Sequence, residues 1–149
     1  MNGDQEGAPA WSIDAPDDGQ FWKFYDRLAE LDRAIVQAAL EHVLEVQGID
    51  ICNSEWGKNL GAGLYEFRIR LSLDAILRTH GSVAAADAVP AKWRRRPTLL
   101  RVFCTFYGDR VVLLLGGYSK SKDPSAKRQR KEIARARREL RRWENGAGT

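Results

Sequence analysis

Five basic side chains are spaced so that a folded chain can gather them. Arg68 and Arg70 stand two residues apart in a stretch where apolar and polar residues alternate. Arg101 holds the same phase in a second alternating run, and Lys120 and Lys122 follow a third, apolar one. Guanidinium groups match the oxygens of a phosphate, and a lysine crowded by other cations gives up its proton more readily than a solvated one. Around a phosphodiester such groups suit metal-free cleavage of RNA. That reaction needs a proton taken from the 2′-hydroxyl, charge stabilised on a phosphorane, and a proton returned to the 5′-oxygen. Histidine is the usual proton carrier, yet the chain holds only His42 and His80, one on a helix and one in an irregular stretch, so a two-histidine mechanism is disfavoured. Cys52 and Cys104 have no further Cys or His at ligand spacing. No disulfide framework, metal site or cofactor is therefore expected. On pattern alone the same arginines also fit a solvated sheet face, and the lysines an ordinary loop.

A sheet has to lie beneath these groups. Tyr65, Phe67, Ile69, Leu71 and Leu73 alternate with Glu66, Arg68, Arg70 and Ser72, the period of a half-buried strand entered from a turn at Gly61 and Gly63. With the apolar face turned inward, Arg68 and Arg70 share the open face, roughly 7 Å apart. Leu100, Val102, Cys104 and Phe106 share one face of the next strand, which leaves Arg101 on the other with Phe103, Thr105 and Tyr107. Gly108 and Asp109 predict a two-residue hairpin, and the run from Val111 to Leu115, apolar on both faces, predicts a central strand.

Helices supply the cover. Phe21, Phe24, Tyr25 and Leu28 predict a helix capped by Asp18 and running to about Leu31. Asp32 caps a second helix with the stripe Val36, Ala39, Leu40, Val43 and Val46, stopped by Gly48 in the left-handed αL conformation. Asp123 as cap and Pro124 as first helical residue predict a final helix to about Trp143, with Ile133, Ala136, Leu140 and Trp143 facing the core. Residues 1–20 read as a flexible acidic arm in which Trp11 and Ile13 allow a short edge strand, residues 21–149 as one domain, and residues 74–97 as an inserted excursion with some helix.

Charge is segregated along the chain. Residues 1–57 hold 3 basic and 12 acidic side chains, residues 58–149 hold 21 basic and 8 acidic, and the two parts carry net charges of −9 and +13. A one-signed field of this size attracts a polyanion, nucleic acid first, unless the acidic part folds over the basic part and cancels it. Lys127, Arg128, Arg130 and Lys131 open the final helix. They suit phosphate contacts, an acidic partner's docking surface or a solvated face. Arg94, Arg95 and Arg96 beside Trp93 suit RNA contact or simply a soluble tip, and Glu66 suits an ion pair better than a base. No apolar run approaches the roughly 20 residues that cross a bilayer and the start lacks a secretory pattern, so no membrane partner and a cytoplasmic location are expected.

The stretches "LGAGLYEFRIR" and "LLRVFCTFYGDRVVLLLGGYSKSKDPSAKRQRKEIARARREL" resemble the RelE superfamily of toxins, most closely its phage-derived HigB-like branch. The likeness spans roughly residues 21–143. It implies an α+β fold: a small curved antiparallel sheet, two N-terminal helices on one face, a concave basic face opposite and a basic C-terminal helix. It also implies a type II toxin–antitoxin toxin, a metal-independent endoribonuclease that cuts mRNA on the ribosome and is neutralised by a helix-turn-helix antitoxin. Carried across by position, the catalytic set is Arg68, Arg101, Lys120 and Lys122. The RNA-binding set is Arg70, Tyr118, Lys127, Arg128, Arg130 and Lys131, with mRNA and ribosomal RNA as partners. The excursion at 74–97 is longer than the turn common in that family. A degenerate member that binds RNA or the ribosome without cutting, or that acts as co-repressor with its antitoxin, is the alternative.

Overall fold

The two alternating runs become neighbouring strands at the centre of a five-stranded sheet. A computed structural model of the chain describes residues 10–147, so the first nine residues of the predicted arm lie outside it. The strands are β1 (Ser12–Asp14), β2 (Gly57–Gly61), β3 (Leu64–Ile69), β4 (Leu100–Tyr107) and β5 (Val111–Ser119), ordered β1-β5-β4-β3-β2. The three pairs from β2 to β5 are antiparallel, but β1 lies parallel to β5. The sheet is therefore mixed, where an antiparallel one was expected. Without β1, β5 would be an apolar edge, and such an edge invites pairing with another chain. The connection between β4 and β5 also differs from the expected two residues: Gly108, Asp109 and Arg110 form it, with Arg110 in the left-handed region at φ 60°.

Helices α1 (Gln20–Asp26) and α2 (Glu30–Ala39) cover one face. Phe21, Phe24, Leu28, Ile35, Val36, Ala39 and Val43 pack there with Phe67, Ile69, Val102, Cys104 and Leu114. Asp18 does not cap α1; the Gln20 N–H donates to Glu139 Oε2 at 3.2 Å, a carboxylate brought from the far end of the chain. The helix ends before Leu31 because Arg27 and Leu28 close tight turns onto Phe24 and Tyr25. Asp32 lies in the first turn of α2 rather than before it, where its charge still suits the helix dipole. The helix continues through a π turn at Leu40–Leu44 into the short α3 (Glu45–Gln47). Gly48 follows at φ 53° and ψ −130°, outside the αL region, and the chain enters a 3-10 turn.

The excursion is a helical pair, α4 (Leu73–His80) and α5 (Val83–Asp87). Ser72 and Ser82 cap them by accepting from the N–H groups of Ala75 and Ala85. Arg94, one of the three tip arginines, donates to the carbonyls of Val89 and Asp87 at the end of α5 and so serves the fold.

Helix α6 (Ala126–Ala147) crosses the other face of the sheet. Ala136 and Leu140, flanked by Ile133 and Trp143, pack on Leu64, Phe103, Leu113, Leu115 and Tyr118. The face expected to be open is covered, because it carries large apolar side chains that need burial as much as those opposite. Its cap is Ser125, whose Oγ accepts from the Arg128 N–H at 3.1 Å, while Asp123 accepts from the Ser125 N–H. Arg137 fastens the helix to the sheet by donating to the carbonyls of Leu60 and Gly61.

Candidate functional site

Pairing register builds the site. Arg68 lies opposite Arg101 across β3 and β4, and Arg101 lies opposite Tyr118 across β4 and β5. The third member depends on a bulge. Phe103 pairs with Gly116 but Cys104 pairs with Leu114, so β5 holds one extra residue. One extra residue reverses which face the following side chains take. Tyr118 therefore joins Leu113 and Leu115 beneath α6, which strict alternation forbids. Glycine suits the bulge: Gly116 has φ 151°, and a Cβ on Gly117 would lie 2.7 Å from both the Arg101 carbonyl and the Phe24 ring.

One carboxylate serves this row. Glu66, fully buried, accepts from Arg68 Nε at 2.8 Å, lies 3.9 Å from Arg101 Nε, and accepts from Gln129 Nε2 at 3.3 Å. Arg101 is 5% exposed, and its Nε and Nη1 have no hydrogen-bond partner among the described residues. The hydroxyl of Tyr118, 1% exposed, has none either. Burial pulls the Arg101 pKa below its ordinary value, against Glu66, which raises it, and with Arg68, which lowers it. Burial pushes the Tyr118 phenol up, Glu66 adds to that, and Arg101 and Arg128 oppose it. The arrangement is two arginines and a phenol with unused donors, and Arg68 and Arg101 share the buried Glu66 carboxylate.

Arg128 closes the row from above. Its guanidinium lies 5.5 Å from the centre of the Tyr118 ring and its Nε donates to Glu132 Oε2 at 2.6 Å. Glu132 also accepts from Arg135 at 3.2 Å. Gln129 and Glu132 were missed in the sequence, although the spacing of Arg128, Glu132 and Arg135 is that of ion pairs on one helix face.

No protein-family model, curated protein or solved structure matches the chain.

The remaining predicted residues divide. Arg70 lies just past the end of β3, pairs with Glu55, and lines a shallow groove with Arg68 and Trp56. Lys127, Arg130 and Lys131 are exposed on α6, whereas Arg128 is committed inward. Lys120 and Lys122 follow β5 on the loop to α6, and among the described residues neither has an ion pair with Glu66. The start of the loop stays beside β4, with the Lys120 N–H donating to the Leu99 carbonyl at 2.8 Å. Lys122 lines a cleft between α1 and α6, with Lys23, Arg27, Arg128 and Arg135. His42 faces Glu41, and His80 packs edge-on against Trp56. Among the described residues no group of three or more His, Cys, Asp or Glu is placed to hold a metal ion. Among the described residues no helix is long and apolar enough to cross a membrane.

Proposed function

We propose that the chain is the RelE-like toxin of a toxin–antitoxin pair, an endoribonuclease that acts on mRNA held by the ribosome and is neutralised by a helix-turn-helix antitoxin. The observation that carries this reading is the row Arg68, Arg101 and Tyr118 on three adjacent strands, with its unused donors, beside the exposed cations of α6. In this reading Arg68 and Arg128, each partly exposed, meet the phosphate. Arg101 behind them raises the local positive potential where charge builds on the phosphorane. Tyr118 offers a protonated hydroxyl. Lys120 and Lys122, on the adjoining loop, steer RNA towards the row in this reading.

The test is purified chain added to ribosomes programmed with a defined message. New 5′ ends within the translated region are expected, and a message that stays intact at saturating protein overturns the nuclease reading. A second reading, RNA binding without cutting, is favoured by the burial of Arg101 and Tyr118 beneath α6. In that case the same assay shows protection of the message instead of new ends.

A further inference from the structure

We propose that the cleft between α1, the end of β5 and α6 is a second phosphate site, which takes a neighbouring backbone phosphate of the same single RNA strand. The proposal rests on the RNA reading above and names how the strand continues beyond the row. Five cationic side chains and one carboxylate line the cleft. Lys23 and Arg27 stand four residues apart on the exposed side of α1 and its C-terminal cap, Lys122 comes from the β5–α6 loop, and Arg128 and Arg135 come from α6. The carboxylate, Glu132, is spent: it is buried and clasped by both α6 arginines. Among the described residues Lys23, Arg27 and Lys122 have no carboxylate in ion-pair contact. Asp32 lies near enough for Lys122 to lower its pKa, but burial outweighs this and holds its carboxyl above the ordinary value.

Cations converging on a concave surface repel one another, and an anion entering between them relieves that repulsion. The floor leaves room at Gly116, where an added Cβ would meet only the Gln20 Cβ, at 3.5 Å. Arg128 makes the link to the first site, since the guanidinium over the Tyr118 ring also lines this cleft. A strand seated against Arg68 at one end thus finds a continuous cationic path over Arg128 towards Lys23 and Arg27.

The experiment is binding of a short, fluorescently labelled 2′-O-methyl oligoribonucleotide, which cannot be cut, to the whole chain over a salt series. Lys23→Ala with Arg27→Ala should weaken binding about tenfold and lower the slope of log K against log salt by about 1.4, two contacts at roughly 0.7 each for a single strand. Lys23→Arg with Arg27→Lys should restore both quantities. Unchanged affinity and slope in the alanine variant overturn the proposal. So does an acidic polypeptide that outcompetes the oligonucleotide and loses its own binding in the same variant, which would assign the cleft to a protein partner. Ribosomal cleavage is read separately. Weakened binding in the variant without cleavage by the intact chain keeps this site and removes the nuclease, whereas cleavage with unchanged binding does the reverse.

Discussion

Arg68 and Arg101 face each other directly across β3 and β4, and the carboxylate of Glu66 stands between their head groups, 2.8 Å from one Nε and 3.9 Å from the other. Like charges opposite one another on a sheet are unfavourable, and a buried guanidinium adds its own desolvation cost. Glu66 offsets both. The expected consequence of Glu66→Gln is a loss of about 3 kcal/mol of unfolding free energy, because two positive groups are left with one neutral acceptor. Adding Arg101→Met should recover more than about 1 kcal/mol of that loss, a coupling that denaturant titration of the single and double variants measures. Additive losses would mean that Glu66 and Arg101 do not act on each other.

Tyr118 separates stability from function. Its hydroxyl is buried without a partner among the described residues, so the folded state gains nothing from it. Tyr118→Phe keeps the ring over which Arg128 lies and the stacking on Phe103. Its unfolding free energy should be unchanged or higher by up to about 1 kcal/mol. Cleavage of ribosome-bound message should fall nonetheless, since the donor is lost, whereas protection without cutting should be unchanged. A variant that melts several degrees lower would show that the hydroxyl has a structural partner after all.

The row was legible in part. Alternation at residues 65–69 and 100–107 placed Arg68 and Arg101 on one face, because a two-residue period depends only on local pattern. Tyr118 was harder: its direction depends on the bulge at Gly116, and a two-residue period carried on from Leu113 and Leu115 puts it on the opposite face. Cover by α6 was implicit in Phe103, Leu113 and Leu115, whose burial requires a second layer on that face. Strand alternation tells which residues share a face but not what lies on it. Nor did the sequence show that Glu139 would reach α1 or that Lys122 would come near enough to Asp32 to influence its carboxyl, since both arise only after distant segments meet.

Alkaline pH should destabilise the fold from about pH 9. Full burial holds the Cys104 thiol far above its ordinary value of 9.0. The unfolded chain releases this proton as pH passes 9.0, while the folded chain keeps it. The contribution is therefore complete below that pH and is lost as pH rises, at a slope approaching about 1.4 kcal/mol per pH unit from one thiol. Tyr118 and Tyr107, both raised by burial from 10.0, steepen the fall above pH 10. Denaturant midpoints measured from pH 8 to pH 11 should decline, and Cys104→Ala, less stable at pH 8, should decline less steeply. Parallel curves for the two proteins would remove Cys104 as the cause.

If chemistry occurs at the row, substitutions there and in the loop should differ in kind. Arg68 meets the phosphate and is fixed by Glu66, so Arg68→Ala removes a preorganised donor and should cost 10²- to 10³-fold in the rate of message cleavage, the usual magnitude for one such donor. Lys120→Ala removes a loop charge that has no ion pair among the described residues. It should slow cleavage less than about tenfold, with the difference shrinking at high salt because steering is screened. Single-turnover cleavage on programmed ribosomes at two ionic strengths measures both. A larger and salt-independent loss from Lys120→Ala than from Arg68→Ala would move the chemistry from the sheet to the loop, and the strand register that aligns Arg68 with Arg101 would then be a feature of folding alone.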